Sequence, residues 1–214
     1  MHGTRENCMD ALRISPRYTS LDWNALDRDD ANDWAKAAEI VRDRLEGRFL
    51  KFATNCLRLE YSGFVVLAID SLLIEAIQQF KEGITDGHGK SKMLVKRFLE
   101  GERFQPDFDM NAREAFYTDI RCGLLHQAEA KKMWLIRRNQ SALLQKVEGD
   151  QGYIIDVKRF HAGVQGSFAD YLKLIPNPSS SLLRSNLWGK MIHICSVREA
   201  RGALYEPENK ETAT

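Results

Sequence analysis

From Asp29 onward, Trp34, Ala38, Val41, Leu45, Phe49 and Phe52 recur at steps of three and four, opposite a charged face. That spacing predicts a long amphipathic helix. The next stretch, GFVVLAIDSLLIEAIQQF, is apolar nearly all round and predicts a helix in the middle of a helical domain, ended by Gly83. GITDGHGKS then reads as a Gly-rich connection to a short helix, SKMLVKRFLEG. After Pro106, Asn111 with Glu114 three residues later offers a capping pair for a helix AREAFYTDIRCGLLHQAEA, whose apolar stripe includes Phe116, Ile120 and Leu124. Beyond Lys132 the period falls to two in WLIRR, LLQKV and YIIDV, the last two flanking the turn-forming EGDQG, which predicts a small antiparallel sheet. Asp156 stands where it can cap VKRFHAGVQGSFADYLKLI. A last helix after PNPSSS carries Leu183, Leu187, Met191 and Ile194 on one stripe.

These elements organise the chain as one unit over residues 1–214, with no internal repeat. Residues 1–28 lack a sustained period and include Pro16, so they form an arm that packs on something else or frays. Residues 29–131 are the helical core, 132–156 the β-hairpin and 157–205 the C-terminal helices. The acidic end, 206–214, reads as a loose tail.

With 43% hydrophobic residues, 214 residues are enough to bury a real core. A formal charge of +1 leaves no bulk field to draw in a polyanion, so any such site must be local. Cys8, Cys56, Cys122 and Cys195 form no C-x-x-C pair and suit reduced thiols in a cytoplasm. Charges in MHGTRENCMD argue against a signal peptide, and Asp70 and Glu75 interrupt the most apolar segment, so a cytoplasmic protein without a membrane span is expected. The GKS of the glycine loop ends like a phosphate-binding P-loop, yet Ile84 stands where that motif needs glycine and a helix leads in where it needs a strand.

Candidate chemistry gathers on the helix containing IRCGLLHQAE. Arg121 and His126 lie about 140° apart on its wheel, with Cys122 and Glu129 between them and Leu125 nearby. A sector holding Arg, Glu, Cys and His resembles the wall of a cleft or an interface more than a solvated face. A histidine can move protons near neutral pH, and arginine offers a planar, permanent charge for phosphate oxygens. Glu129 could orient His126, and Glu75 in the apolar helix needs a buried partner such as Arg121, with Asp70 and Ser71 open to the same reading. Tyr117, one turn before Arg121, could stack a base. Cys122 and His126 lack the helix N-terminal field that activates a thiol, and no second element completes a metal site. Basic clusters at Lys90, Lys92, Lys96 and Arg97, at Arg137 and Arg138, and at Lys158 and Arg159 are either solvated faces or guides for an RNA backbone. Arg121 and His126 could equally be a structural pair at a dimer seam.

The stretch FYTDIRCGLLHQAE, with the upstream FVVLAIDSLLIEAI, resembles the HEPN superfamily of helical nucleases, whose signature is Arg-x4-His on a late helix. The resemblance covers roughly residues 29 to 200. It implies a mainly α fold, a dimerising bundle of four to five helices, with the β-hairpin as a decoration. It further implies metal-independent endoribonuclease activity without a cofactor, of toxin or defence type, in which Arg121 and His126 from two chains share a cleft and leave a 2′,3′-cyclic phosphate. RNA, a second copy and an antitoxin or regulatory protein are the implied partners. Active members commonly place Asn, Asp or His after the arginine, where this chain has Cys122. The alternative is therefore an inactive HEPN-like dimer that binds RNA, a nucleotide or a protein partner.

Overall fold

The computed structural model describes residues 12–147, 149 and 152–200, with side chains described as far as residue 196. The charged start of the arm, the tip of the EGDQG turn and the acidic tail lie outside the described residues. Among those residues the chain is mainly helical, with seven helices and a three-stranded sheet. The helices are α1 (Ser20–Asn24), α2 (33–56), α3 (Gly63–Glu82), α4 (Ser91–Leu99), α5 (110–127), α6 (Val157–Leu174) and α7 (Ser181–Ala200). The strands are β1 (Leu135–Arg137), β2 (Leu144–Lys146) and β3 (Tyr153–Asp156).

The apolar helix α3 is central, packing on α2, α4, α5, α6 and α7. Gly83 ends it in the left-handed region, at φ 68°, where a side chain would be strained and would also press on Asn186. By length and composition α3 is apolar enough to cross a membrane. In this fold Val66, Leu67, Leu73, Ile74 and Ile77 are fully buried against its neighbours.

α2 follows its expected stripe only part of the way. Trp34, Ala38, Val41 and Leu45 are buried, but Phe52 is 56% exposed and Phe49 only partly buried, while Leu50 and Ala53 are buried instead. The cause is a π-helical turn over Glu46–Leu50. It inserts one extra residue and moves the core-facing positions on by one. A second such turn, Phe116–Arg121, interrupts α5. There Ala112, Phe116, Ile120 and Leu124, at steps of four, all stay buried because the wider turn absorbs the drift that a straight α-helix would accumulate. α5 starts under Asp109, whose carboxylate accepts from the Ala112 amide, and not under Asn111. Glu114 is turned instead to Lys92 and Lys96.

The sheet has the order β1-β3-β2 and is mixed, which corrects the expectation of an antiparallel one. β2 and β3 form the predicted antiparallel hairpin, with Leu144 opposite Ile155. β1 joins β3 in parallel, with Leu135 opposite Ile154. Asp156 explains the crossing: one carboxylate oxygen caps α6 at the Arg159 amide, as expected, and the other accepts from Gln140, tying the β1–β2 link across the end of β3. The described part of the arm is docked. Ile14 and Trp23 are buried, Thr19 and Asp22 form a capping box at α1, and Asp43 of α2 accepts from Ser15, from the Arg17 amide and from the Arg17 guanidinium.

Candidate functional site

Glu75 and Arg121 meet where α3 packs on α5. Arg121 Nη2 lies 3.1 Å from Glu75 Oε2, and the Ser91 hydroxyl donates to the same oxygen at 2.6 Å. The pair is half-buried, with side chains 19% and 17% exposed, so it is shielded without being sealed. The Tyr117 ring lies 5.7 Å from the Arg121 guanidinium carbon, completing an aromatic wall on the same side. Arg121 is the final residue of the π-helical turn, a place where the altered path re-aims a side chain.

His126 sits in the last turn of α5, exposed to solvent and with no side-chain hydrogen bond among the described residues. About 7.5 Å of helix rise separates it from Arg121. Leu125 beside it is 47% exposed, and Cys122 is a half-buried free thiol. Glu129 does not orient His126. The helix ends at Gln127, Ala128 adopts a left-handed φ of 55°, and the Glu129 carboxylate accepts from the Ala130 amide at 3.0 Å. The three-residue helical relation on which that expectation relied is therefore absent. The chain turns back beneath the helix, and Gly123 lets it do so, since a Cβ there would collide with the Glu129 carbonyl. Asp119 secures the return by accepting from the Trp134 indole at 3.3 Å and pairing with Lys132 at 3.2 Å.

Asp70 and Ser71 do not join this site. Asp70 faces the other side of α3, where Oδ1 lies 2.8 Å from His161 Nδ1, and His161 Nε2 lies 2.9 Å from the Thr54 hydroxyl. Thr54 also donates to the Leu50 carbonyl and accepts from Gln165. Burial pushes the Asp70 carboxyl above the usual carboxylate range, although the His161 contact opposes it. Asp70 Oδ2 and Ser71 Oγ are buried without a partner.

The basic clusters divide as well. Lys92 and Lys96 are held by Glu114 and Arg97 by Glu82, so three of those four cations are neutralised in place. Arg137, Arg138, Lys158 and Arg159 have side chains that bind carbonyls, a hydroxyl or an amide oxygen, with no carboxylate partner among the described residues. No group of three His, Cys, Asp or Glu side chains stands together to hold a metal among the described residues.

Sequence reasoning missed Ser91, Asp119 and Thr54. Ser91 closes the GKS run that looked like a failed P-loop, and a polar residue opening a helix opposite an apolar helix with a lone glutamate was the available signal. Asp119 and Thr54 gave none, since each depends on a distant element. Comparison with family models, with curated proteins and with solved structures finds no match for this chain.

Proposed function

We propose that this chain is a HEPN-like, metal-independent endoribonuclease of toxin or defence type, cytoplasmic and acting as a homodimer. One observation carries the reading: an arginine held half-buried by Glu75 and Ser91 lies on the same helix as a histidine that faces solvent with its ring unpartnered. His126 accepts the proton of a ribose 2′-hydroxyl as that oxygen attacks the adjacent phosphorus. The 5′-oxygen leaves with a proton from the second copy's histidine. Arg121 stabilises the charge on the five-coordinate phosphorus. The products end in 2′,3′-cyclic phosphate and 5′-hydroxyl, and no metal or cofactor enters. Dimerisation is supported by exposed apolar side chains, Val65 and Leu72 on α3 and Leu125 on α5, on the two helices that the Glu75–Arg121 pair joins. An antitoxin or regulatory protein would restrain the activity.

The test is cleavage of a mixed RNA in EDTA by wild type and by His126→Ala, with product ends analysed. Cleavage to cyclic phosphate by wild type alone sustains the proposal, and no cleavage by either removes it. A second reading, a silent dimer that binds RNA, a nucleotide or a protein, has its own support: Glu75 already occupies the Arg121 guanidinium that a phosphate would need.

A further inference from the structure

At the opposite end of α3 from Glu75, about 16 Å along the axis from Phe64, Tyr61, Gly63, Phe64, Ile136, Arg137 and Val157 line an open groove of about 420 Å³. Tyr61 is 93% exposed and carries a left-handed φ of 59°. That conformation is strained for a bulky residue, and full exposure gives the ring no packing in return. The loop is nonetheless rigidly held: Arg138 donates to the carbonyls of Leu57 and Leu59 and to the Ser62 hydroxyl. Strain therefore presents an aromatic face to solvent beside the exposed Phe64 ring. The surrounding cations add the second ingredient. Arg137 is exposed and its guanidinium bonds only to the neighbouring Ile136 carbonyl, while Arg138, which also lines the groove, and the flanking Lys158 lack carboxylate partners too. Nearby acids do not cancel them. Asp156 is buried and occupied by the Gln140 and Arg159 amides, which leaves the exposed Glu60 against Arg137, Arg138 and Lys158.

We propose that this groove is a binding site for single-stranded nucleic acid, a base stacking on Tyr61 and Phe64 with its phosphate on Arg137. Charge complementarity selects this occupant: a planar π face beside unneutralised guanidinium groups matches alternating base and phosphate, whereas a stacked duplex offers no free base face. The site stands apart from the Arg121 and His126 cleft and does not depend on cleavage.

The test measures fluorescence anisotropy of labelled single-stranded RNA and DNA oligonucleotides with full-length His126→Ala protein, so that hydrolysis cannot intervene. Adding Tyr61→Gly removes the ring while relieving the backbone, so the fold is preserved or stabilised, as its unfolding midpoint reports. Affinity is expected to fall about tenfold, in line with the loss of one stacked base. Arg137→Ala is expected to weaken binding and lower the salt slope by about one. RNA and DNA binding alike would assign the site to stacking and phosphate, and RNA alone would add a 2′-hydroxyl contact. Unchanged affinity in both variants, or a parent that binds no single strand at low salt, overturns the proposal. So does binding to anionic vesicles that Tyr61→Gly abolishes while oligonucleotide binding persists, since the groove would then be a membrane-surface site.

Discussion

Two of the carboxylates on helix α3, Asp70 and Glu75, stand five residues apart and serve two different neighbours. Asp70 is fully buried, and both nitrogens of its partner His161 are engaged. Thr54 has already committed its hydrogen to the Leu50 carbonyl, so His161 Nε2 must be the donor in their contact. Asp70 and His161 are sealed from solvent, and only the Thr54 and Gln165 end of the network is partly exposed. Glu75, by contrast, holds Arg121 at a partly wet boundary, with an aromatic ring alongside and an unpartnered histidine further along the same helix. Two acids on one helix thus divide the labour, one fixing α2, α3 and α6 together and the other setting a cation where a ligand can reach it.

The largest expected effect comes from breaking the buried side. His161→Ala leaves the Asp70 carboxyl sealed without a partner and is expected to cost about 3–5 kcal/mol, measured by urea unfolding. A cost below 1 kcal/mol would mean that water already reaches Asp70 and that the contrast with Glu75 is one of degree. His126→Ala tests the other side. It is expected to leave the unfolding midpoint within about 0.5 kcal/mol of wild type, as befits an exposed side chain, while cleavage falls about 10²–10⁴-fold. Glu75→Gln keeps a hydrogen-bonding group for Ser91 and Arg121 but removes the charge. Cleavage on the order of tenfold slower is expected from a less firmly positioned guanidinium, with stability changed by less than about 1 kcal/mol. Faster cleavage would recast Glu75 as a restraint on Arg121.

The smallest effect sharpens the comparison through pH. Burial would raise the Asp43 carboxyl, but donation from Ser15, the Arg17 amide and the Arg17 guanidinium outweighs it and holds the group below its ordinary range. Its stabilising contribution is therefore full above about pH 4 and is lost as pH falls through its lowered folded value. Asp70 has the opposite sign, because a raised carboxyl contributes below about pH 4 and loses that contribution as pH rises through its folded value. Thermal unfolding across pH 2–5 should show Asp43→Asn flattening the acid loss by about 1 kcal/mol. An unchanged acid limb would assign that loss to other carboxylates.

Much of this was legible in the chain. A lone glutamate in FVVLAIDSLLIEAI demanded a partner, and Arg121 is the partner observed. Gly83 and Asp156 announced the end of α3 and the start of α6 through backbone chemistry that acts locally. The misses share a different cause. Phe49 and Phe52 left the expected stripe because a π-helical turn changes helical phase without a residue type that marks it. Glu129 left the helix because Ala128 takes a left-handed cap with no glycine to signal it. β1 paired in parallel because Asp156 redirects the chain from across the sheet. Periodicity assumes a regular element, and each of these turns on a departure from regular backbone geometry or on a contact from elsewhere in the chain.

The two π-helical turns give helices α2 and α5 an unusual tolerance for changes in length. Each already contains one residue more than a straight helix needs, so deleting a single residue from Glu46–Leu50 or Phe116–Arg121 would return the backbone to ordinary α-helical bonding without breaking it. In α5 such a deletion would leave the residues beyond it facing much as they do now, because the wider turn is what accommodates the extra residue. What would change is local: Arg121, the last residue of that turn, would lose the altered backbone path that aims it at Glu75. A length count between Ala112 and Leu124 therefore tells whether a relative of this protein keeps the widened turn that ends at Arg121.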